Sequence, residues 1–216
     1  MSSPTKLVYL GLTAFMTGIT CISAQLRFYI GPIPYTMQNF AIVLSGLVLP
    51  PFYALLSQLL YLLLIALGLP VAANFSGGLG VLLGYTAGYL WAFPIATMLT
   101  SILSRMYLRA LKKSLRNISV KDVVLLIGLT GIAVIPVYLL GYIVFLHYAV
   151  PGSKLYAWAN SVVANLGYAI GDPLTILFIA SVLVFVPQDL LMDHLLAILV
   201  ARGMVRLMES KGIELS

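Results

Sequence analysis

The apolar positions of this chain fall into long blocks with little of the polar interruption that marks half-buried strands or amphipathic surface helices. Residues 7–24 form the first block, starting just after Lys6. It is long for the apolar stretch of a signal peptide and no A-x-A cleavage site follows, so a retained membrane span is expected. Residues 26–35 carry Gly31, Pro32 and Pro34. Proline removes a donor and restricts its predecessor, which excludes continuous helix and predicts a structured connector. Blocks 37–49 and 52–67 are separated by Pro50-Pro51, and the first is short for a crossing; two tilted or partial helices meeting at a tight turn are expected. A glycine-rich stretch, 68–84, leads to a block at 85–104.

The second half is less regular. Residues 123–148 read as one span kinked at Pro136. Residues 158–170 read as a helix that stops at Gly171-Asp172-Pro173, and 174–186 as a further short apolar run. The last helix, 188–207, has acids at its start and Arg202 and Arg206 at its end, an order that suits the helix dipole. The fold class predicted is an all-α membrane protein: a six-transmembrane-helix bundle with structured extracytoplasmic loops, residues 1–216 forming one integral membrane domain. No fixed-period repeat occurs, and no segment outside the blocks is large enough for a second domain.

Composition strengthens this. Of 216 residues, 62% are hydrophobic and 8% charged, against about 45–50% and about 25% in soluble domains. A water-soluble globule is excluded. Twelve Lys and Arg against six Asp and Glu give +6, a balance that in a soluble chain would suggest nucleic acid. Here Arg105, Arg109, Lys112, Lys113, Arg116 and Lys121 lie between two apolar stretches, as in a cytoplasmic loop. Only Tyr107 is available among them for base stacking, so no nucleic-acid partner is expected. Six spans with both termini cytoplasmic place ten of the twelve basic residues inside and leave Arg27 and Lys154 outside. A multi-pass protein of the cell membrane follows.

Chemistry inside a membrane needs ionisable or polar groups that are costly to bury. Cys21 is the only cysteine, which excludes a disulfide framework and a thiolate metal cluster. There is no G-x-x-x-x-G-K-[ST] loop, so the chain does not itself use ATP, and neither G-x-S-x-G nor H-E-x-x-H occurs. Asp189 and Asp193 are four apart, with His194 adjacent. They read either as part of an intramembrane catalytic or metal site or as acids favoured by a helix start; no metal and no cofactor are expected. The segment from Asn74 through Gly77, Gly78 and Gly80 has two readings, a ligand-binding loop or a turn between helices, because glycines permit both close approach and sharp turning. Ala14 and Gly18 have small-xxx-small spacing, which serves either a partner helix or packing within the bundle.

These segments combine into a recognisable order: Gly31-Pro32-Ile33-Pro34-Tyr35-Thr36-Met37-Gln38, Gly68-Leu69-Pro70-Val71, Ser76-Gly77-Gly78-Leu79-Gly80-Val81-Leu82-Leu83-Gly84, Gly88-Tyr89 and Phe93-Pro94. Together they resemble the BioY family of biotin transporters, substrate-binding S-components of energy-coupling-factor transporters. The resemblance is dense over 24–105 and returns at 185–201. It implies a six-helix substrate-binding membrane domain that is not an enzyme, working with a transmembrane coupling subunit and ATPase subunits in the lipid bilayer. It implies a pocket near the outer face, closed by the loop of residues 27–35 and lined by the Asn74 loop and Asp189. Asp189 and Asn74 are expected to meet the ureido ring of biotin, Tyr85 and Trp91 to pack on its apolar rings, and Arg27 or the N–H groups of residues 77–80 to meet its carboxylate. Ala14 and Gly18 match the docking face for the coupling subunit. Met192 stands where the family carries a lysine after its aspartate, so Asp189 is expected to be protonated, hydrated or met by another group. The same departure admits a different small carboxylate such as lipoate or dethiobiotin.

Overall fold

Where proline and glycine interrupt the apolar blocks decides where the helices break. The structure is a computed structural model and describes residues 3–30, 33–169 and 171–212. Helix α1 (Ser3–Gln25) leads into an antiparallel hairpin of β1 (Arg27–Ile30) and β2 (Ile33–Thr36), with Arg27 opposite Thr36 and Phe28 opposite Tyr35. The connector is therefore a two-stranded ribbon. Its turn residues Gly31 and Pro32, part of the anticipated closing loop, lie outside the described residues.

Helices α2 (Gln38–Val48) and α3 (Pro51–Ala66) meet at Leu49-Pro50. Leu49 is extended, as a residue before proline must be, and Pro51 occupies the first position of α3, where no N–H is needed. The break leaves carbonyls at the end of α2 unpaired within the helix. Ser101 donates to the Leu49 oxygen at 2.6 Å and the Arg105 guanidinium to that of Val48 at 3.1 Å. Eight consecutive residues of α2, Ala41 through Val48, are buried, so this short helix is surrounded by its neighbours α1, α3 and the helices Ala87–Ala110 and Leu195–Ser210.

After a 3₁₀ turn (Ala73–Phe75) and the single-turn α4 (Leu79–Leu82), α5 (Ala87–Ala110) runs through Pro94 without interruption. Helix α6 (Val120–Ala133) starts from a capping box between Ser119 and Asp122. The kink expected at Pro136 is a break at Val134, which separates α6 from α7 (Ile135–Tyr148). Pro136 occupies the first turn of α7, where its missing donor costs nothing, so the break falls just before it. Helices α5 and α7 lie unusually close. A side chain at Gly88 would strike the Leu140 carbonyl, and one at Gly141 the Tyr89 ring.

The helix expected over 158–170 is α8 (Lys154–Asn165), begun by the Ser153 cap and closed by Gly167 at φ +81°. Ile170 lies outside the described residues. The separation expected between 174–186 and 188–207 is not observed. Residues Pro173–Ser210 form one helical column of 38 residues, composed of α9 (Pro173–Phe178), a π-turn (Ile179–Leu183), α10 (Val186–Gln188), a second π-turn (Asp189–His194) and α11 (Leu195–Ser210). The wide turns accommodate the donor missing at Pro187 without ending the column.

Among the described residues, four helices are long and apolar enough to cross a membrane: Lys6–Gln25, Ala87–Ala110, Val120–Tyr148 and Pro173–Ser210; α2 and α3 are apolar but shorter. Two apolar clusters hold the fold. One centres on Tyr9, Met16, Ile42, Tyr61 and Ile198, the other on Tyr35, Phe145, Val162 and Leu177.

Candidate ligand-binding site

Between the two clusters lies a cavity of about 530 Å³, within the range of small-molecule sites. Leu90 and Phe93 reach it from the first cluster; Phe145, Trp158 and Phe185 come from or pack on the second. Its apolar side is aromatic: Phe145 lies edge-on to Tyr85 at 6.5 Å and to Trp158 at 6.0 Å between ring centres. Arg27 lines the cavity from the hairpin, its guanidinium 5.0 Å from the centre of the Tyr29 ring.

The polar side is built around Asp189, which is buried. Its Oδ2 accepts from Asn39 Nδ2 and from the Tyr138 hydroxyl, both at 2.5 Å. Among the described residues Oδ1 has no protein partner. Because Asn39 presents its amide N–H to the carboxylate, its oxygen faces elsewhere, and this oxygen is buried with no partner. Two side chains of the cavity wall, Asp189 and Asn39, thus each carry one acceptor oxygen with no partner among the described residues. Gln188, also on the wall, donates to Asp193 at 2.8 Å. The hairpin is tied to this region by Tyr35, which donates to the Val184 carbonyl at 3.0 Å. Burial, with Asp189 adding to it, holds the Tyr35 phenol above its ordinary pKa, so it remains a donor.

Asn74, Gly80, Tyr85, Asp189 and Arg27 line the cavity; Gly77, Gly78 and Trp91 do not. Gly77 presses against the Leu69 carbonyl, and Gly78, at φ +88°, donates its N–H to Ile65 at 2.7 Å. Both glycines close the turn after α3. The Trp91 indole donates to the Leu82 carbonyl at 3.0 Å and is 44% exposed. Asn74 has left-handed backbone, φ 62° and ψ 31°, which asparagine tolerates better than most residues. Its loop is held by Gln25, whose amide donates to the Ala72 carbonyl at 2.9 Å and accepts from Phe75 N–H at 3.0 Å.

Asn39, Tyr138, Gln188 and Trp158 are site residues that the sequence did not single out as such. Asn39 and Tyr138 carry a weak signal, hydrogen-bonding groups within apolar helices. Their convergence on Asp189 spans 150 and 51 residues and appears only in three dimensions. Met192 is not on the wall; the neutral donors Asn39 and Tyr138 meet the aspartate instead.

The three groups of a hypothetical catalytic centre diverge. Asp189 faces Asn39 and Tyr138, Asp193 accepts from Phe40 N–H at 3.2 Å and from Gln188, and His194 Nδ1 lies 2.8 Å from the Thr130 hydroxyl. Ala14 is exposed on α1, and Gly18 has open space where a side chain would stand.

The sequence profile of the BioY family matches residues 1–210. The chain belongs to the BioY family. It is 48% identical over 91 residues to the probable biotin transporter BioY of Pyrococcus horikoshii, covering 42% of this chain and 56% of that one. It is 41% identical over 88 residues to the biotin transporter BioY of Thermotoga maritima, covering 41% and 52%. These matches span about half the length of either relative. A crystal structure of the S-component for biotin from an ECF-type ABC transporter superposes with TM-score 0.69 at 26% identity, covering 95% of both chains. BioY proteins are membrane transporters, and this member of the family is a multi-pass membrane protein with an S-component fold.

Proposed function

We propose that residues 1–216 form one substrate-binding domain that captures biotin in the cavity beside Asp189 and delivers it across the membrane as the S-component of an energy-coupling-factor transporter. The observation that carries this reading is the pair of unfilled acceptors, Asp189 Oδ1 and Asn39 Oδ1. A ureido ring offers two N–H donors, so one ligand group completes both. Its oxygen calls for a donor, a role for the Asn74 amide. Tyr85, Phe145 and Trp158 suit the apolar ring system, and Arg27 the carboxylate, through a charge-assisted bond. Gly80 lies at the wall of the same cavity, where its lack of a side chain leaves room.

Six spans with both termini cytoplasmic fit the positive-inside rule, α2 and α3 being short crossings on either side of the Pro50 break. The chain carries no nucleotide-binding loop, so energy comes from separate ATPase subunits through a transmembrane coupling subunit. The open face of α1 around Ala14 and Gly18 suits docking of that subunit, because small residues let helices approach closely.

Cells without biotin transport of their own, given this chain with the coupling and ATPase subunits, should accumulate labelled biotin; uptake no higher than in cells with an empty vector would contradict the proposal. Gly18→Leu should abolish that uptake while the purified variant still binds biotin. Loss of both together would mean that Gly18 packs the bundle and does not dock a partner.

A further inference from the structure

A second cavity, about 290 Å³, lies where the ends of α2, α5 and α11 meet the connection between α5 and α6. Leu47, Leu108 and Val205 make its wall apolar, and Arg105, Arg109, Lys113 and Glu209 make its rim charged. Two of those charges are matched. Lys113 lies 2.7 Å from Asp122, and Glu209 3.4 Å from Arg116. Arg105 and Arg109, one helical turn apart on α5, form no ion pair among the described residues. Arg105 is half-buried and uses two N–H groups, one on Ser101 Oγ and one on the Val48 carbonyl, each at 3.1 Å. A guanidinium has five, so three remain. Close by, Arg202 and Arg206 both reach the Arg116 carbonyl at 3.3 Å and add positive charge at the same end of the bundle.

Two uncompensated guanidinium groups above an apolar wall, at the ends of membrane helices, match an anionic headgroup with its acyl chains below it. We propose that this cavity binds the phosphate of an anionic phospholipid, with Arg105 and Arg109 as its donors and the apolar wall receiving the first part of the chains. Arginine suits the task because its planar fork pairs with two phosphate oxygens at once. The site is separate from the ligand cavity, with which it shares no lining residue.

The test is native mass spectrometry of the delipidated full chain with phosphatidylglycerol or phosphatidylcholine added in turn. Phosphatidylglycerol should be retained as a single adduct about tenfold more strongly, and Arg109→Gln should remove about that advantage. Circular dichroism melting shows whether the variant is folded; the Arg109 side chain makes no hydrogen bond among the described residues, so the melt should be unchanged. Equal retention of the two lipids, or undiminished preference in folded Arg109→Gln, overturns the proposal. Protection of the melt by inorganic phosphate without preference for phosphatidylglycerol overturns the lipid as the source of the phosphate.

Discussion

Asp189→Leu should weaken biotin binding by about a hundredfold or more, measured as quenching of Trp158 fluorescence on titration of the detergent-purified protein. A hydrogen bond to a charged group contributes about 1.5–3 kcal/mol, roughly tenfold to a hundredfold in affinity. Loss of the carboxylate also unfastens Asn39, whose oxygen is the second acceptor. Asp189→Asn keeps one acceptor and the shape, so its loss should be smaller, about tenfold. A loss in Asp189→Asn, which keeps the shape and gives up one acceptor, assigns the effect to the acceptors and not to packing. Stability should fall as well, because the buried Asn39 amide and Tyr138 hydroxyl lose their acceptor, at about 1–3 kcal/mol for each donor left unpaired, so the titration is made on a variant shown to be folded by circular dichroism. Full affinity in Asp189→Leu would remove the carboxylate from the site.

Gly88→Ala should be the most damaging single-methyl change in the bundle. The added carbon would meet the Leu140 carbonyl and, at 2.8 Å, a methyl of Val144. Backbone cannot rotate away as a side chain can, so α5 and α7 must part. Overpacking of this kind costs about 1–3 kcal/mol, a fall of about 2–12 °C in the unfolding midpoint. Tyr89 on α5 and Tyr138 on α7 both line the ligand cavity, so the same separation should weaken biotin binding. Gly128→Ala, which meets open space on α6, is the comparison: alanine is the better helix former, and the midpoint should hold or rise. Equal behaviour of the two variants would mean that the α5–α7 contact is not tight.

How far the sequence reached depended on the range of the interaction. Local chemistry was legible. Pro50-Pro51 divided α2 from α3 because a proline acts on its own residue and its predecessor, and the blocks of apolar residues marked the long spans. Boundaries set by capping were less so: Gly167, which closes α8, lay inside an expected helix. The Pro173–Ser210 column reads as two pieces in the sequence because Pro187 ordinarily interrupts a helix, whereas here π-turns absorb it. Of the expected ligand contacts, Asn74, Tyr85, Arg27 and Asp189 line the cavity, and the order of motifs marks all four. Gly77 and Gly78 belong to the turn reading of their loop, and Trp91 faces away from the cavity that Trp158 lines. Asn39 and Tyr138 were hidden for a physical reason. Replacing a charged partner of Asp189 by two neutral donors from distant helices leaves an absence at Met192 in the sequence and shows its compensation only in space.

The decisive measurement is the structure of the purified protein solved with saturating biotin. Ligand density should fill the cavity beside Asp189, with the ureido N–H groups on Asp189 Oδ1 and Asn39 Oδ1 and the rings against Tyr85, Phe145 and Trp158. Density for biotin elsewhere, or an empty cavity that fills with lipoate or dethiobiotin instead, would contradict it.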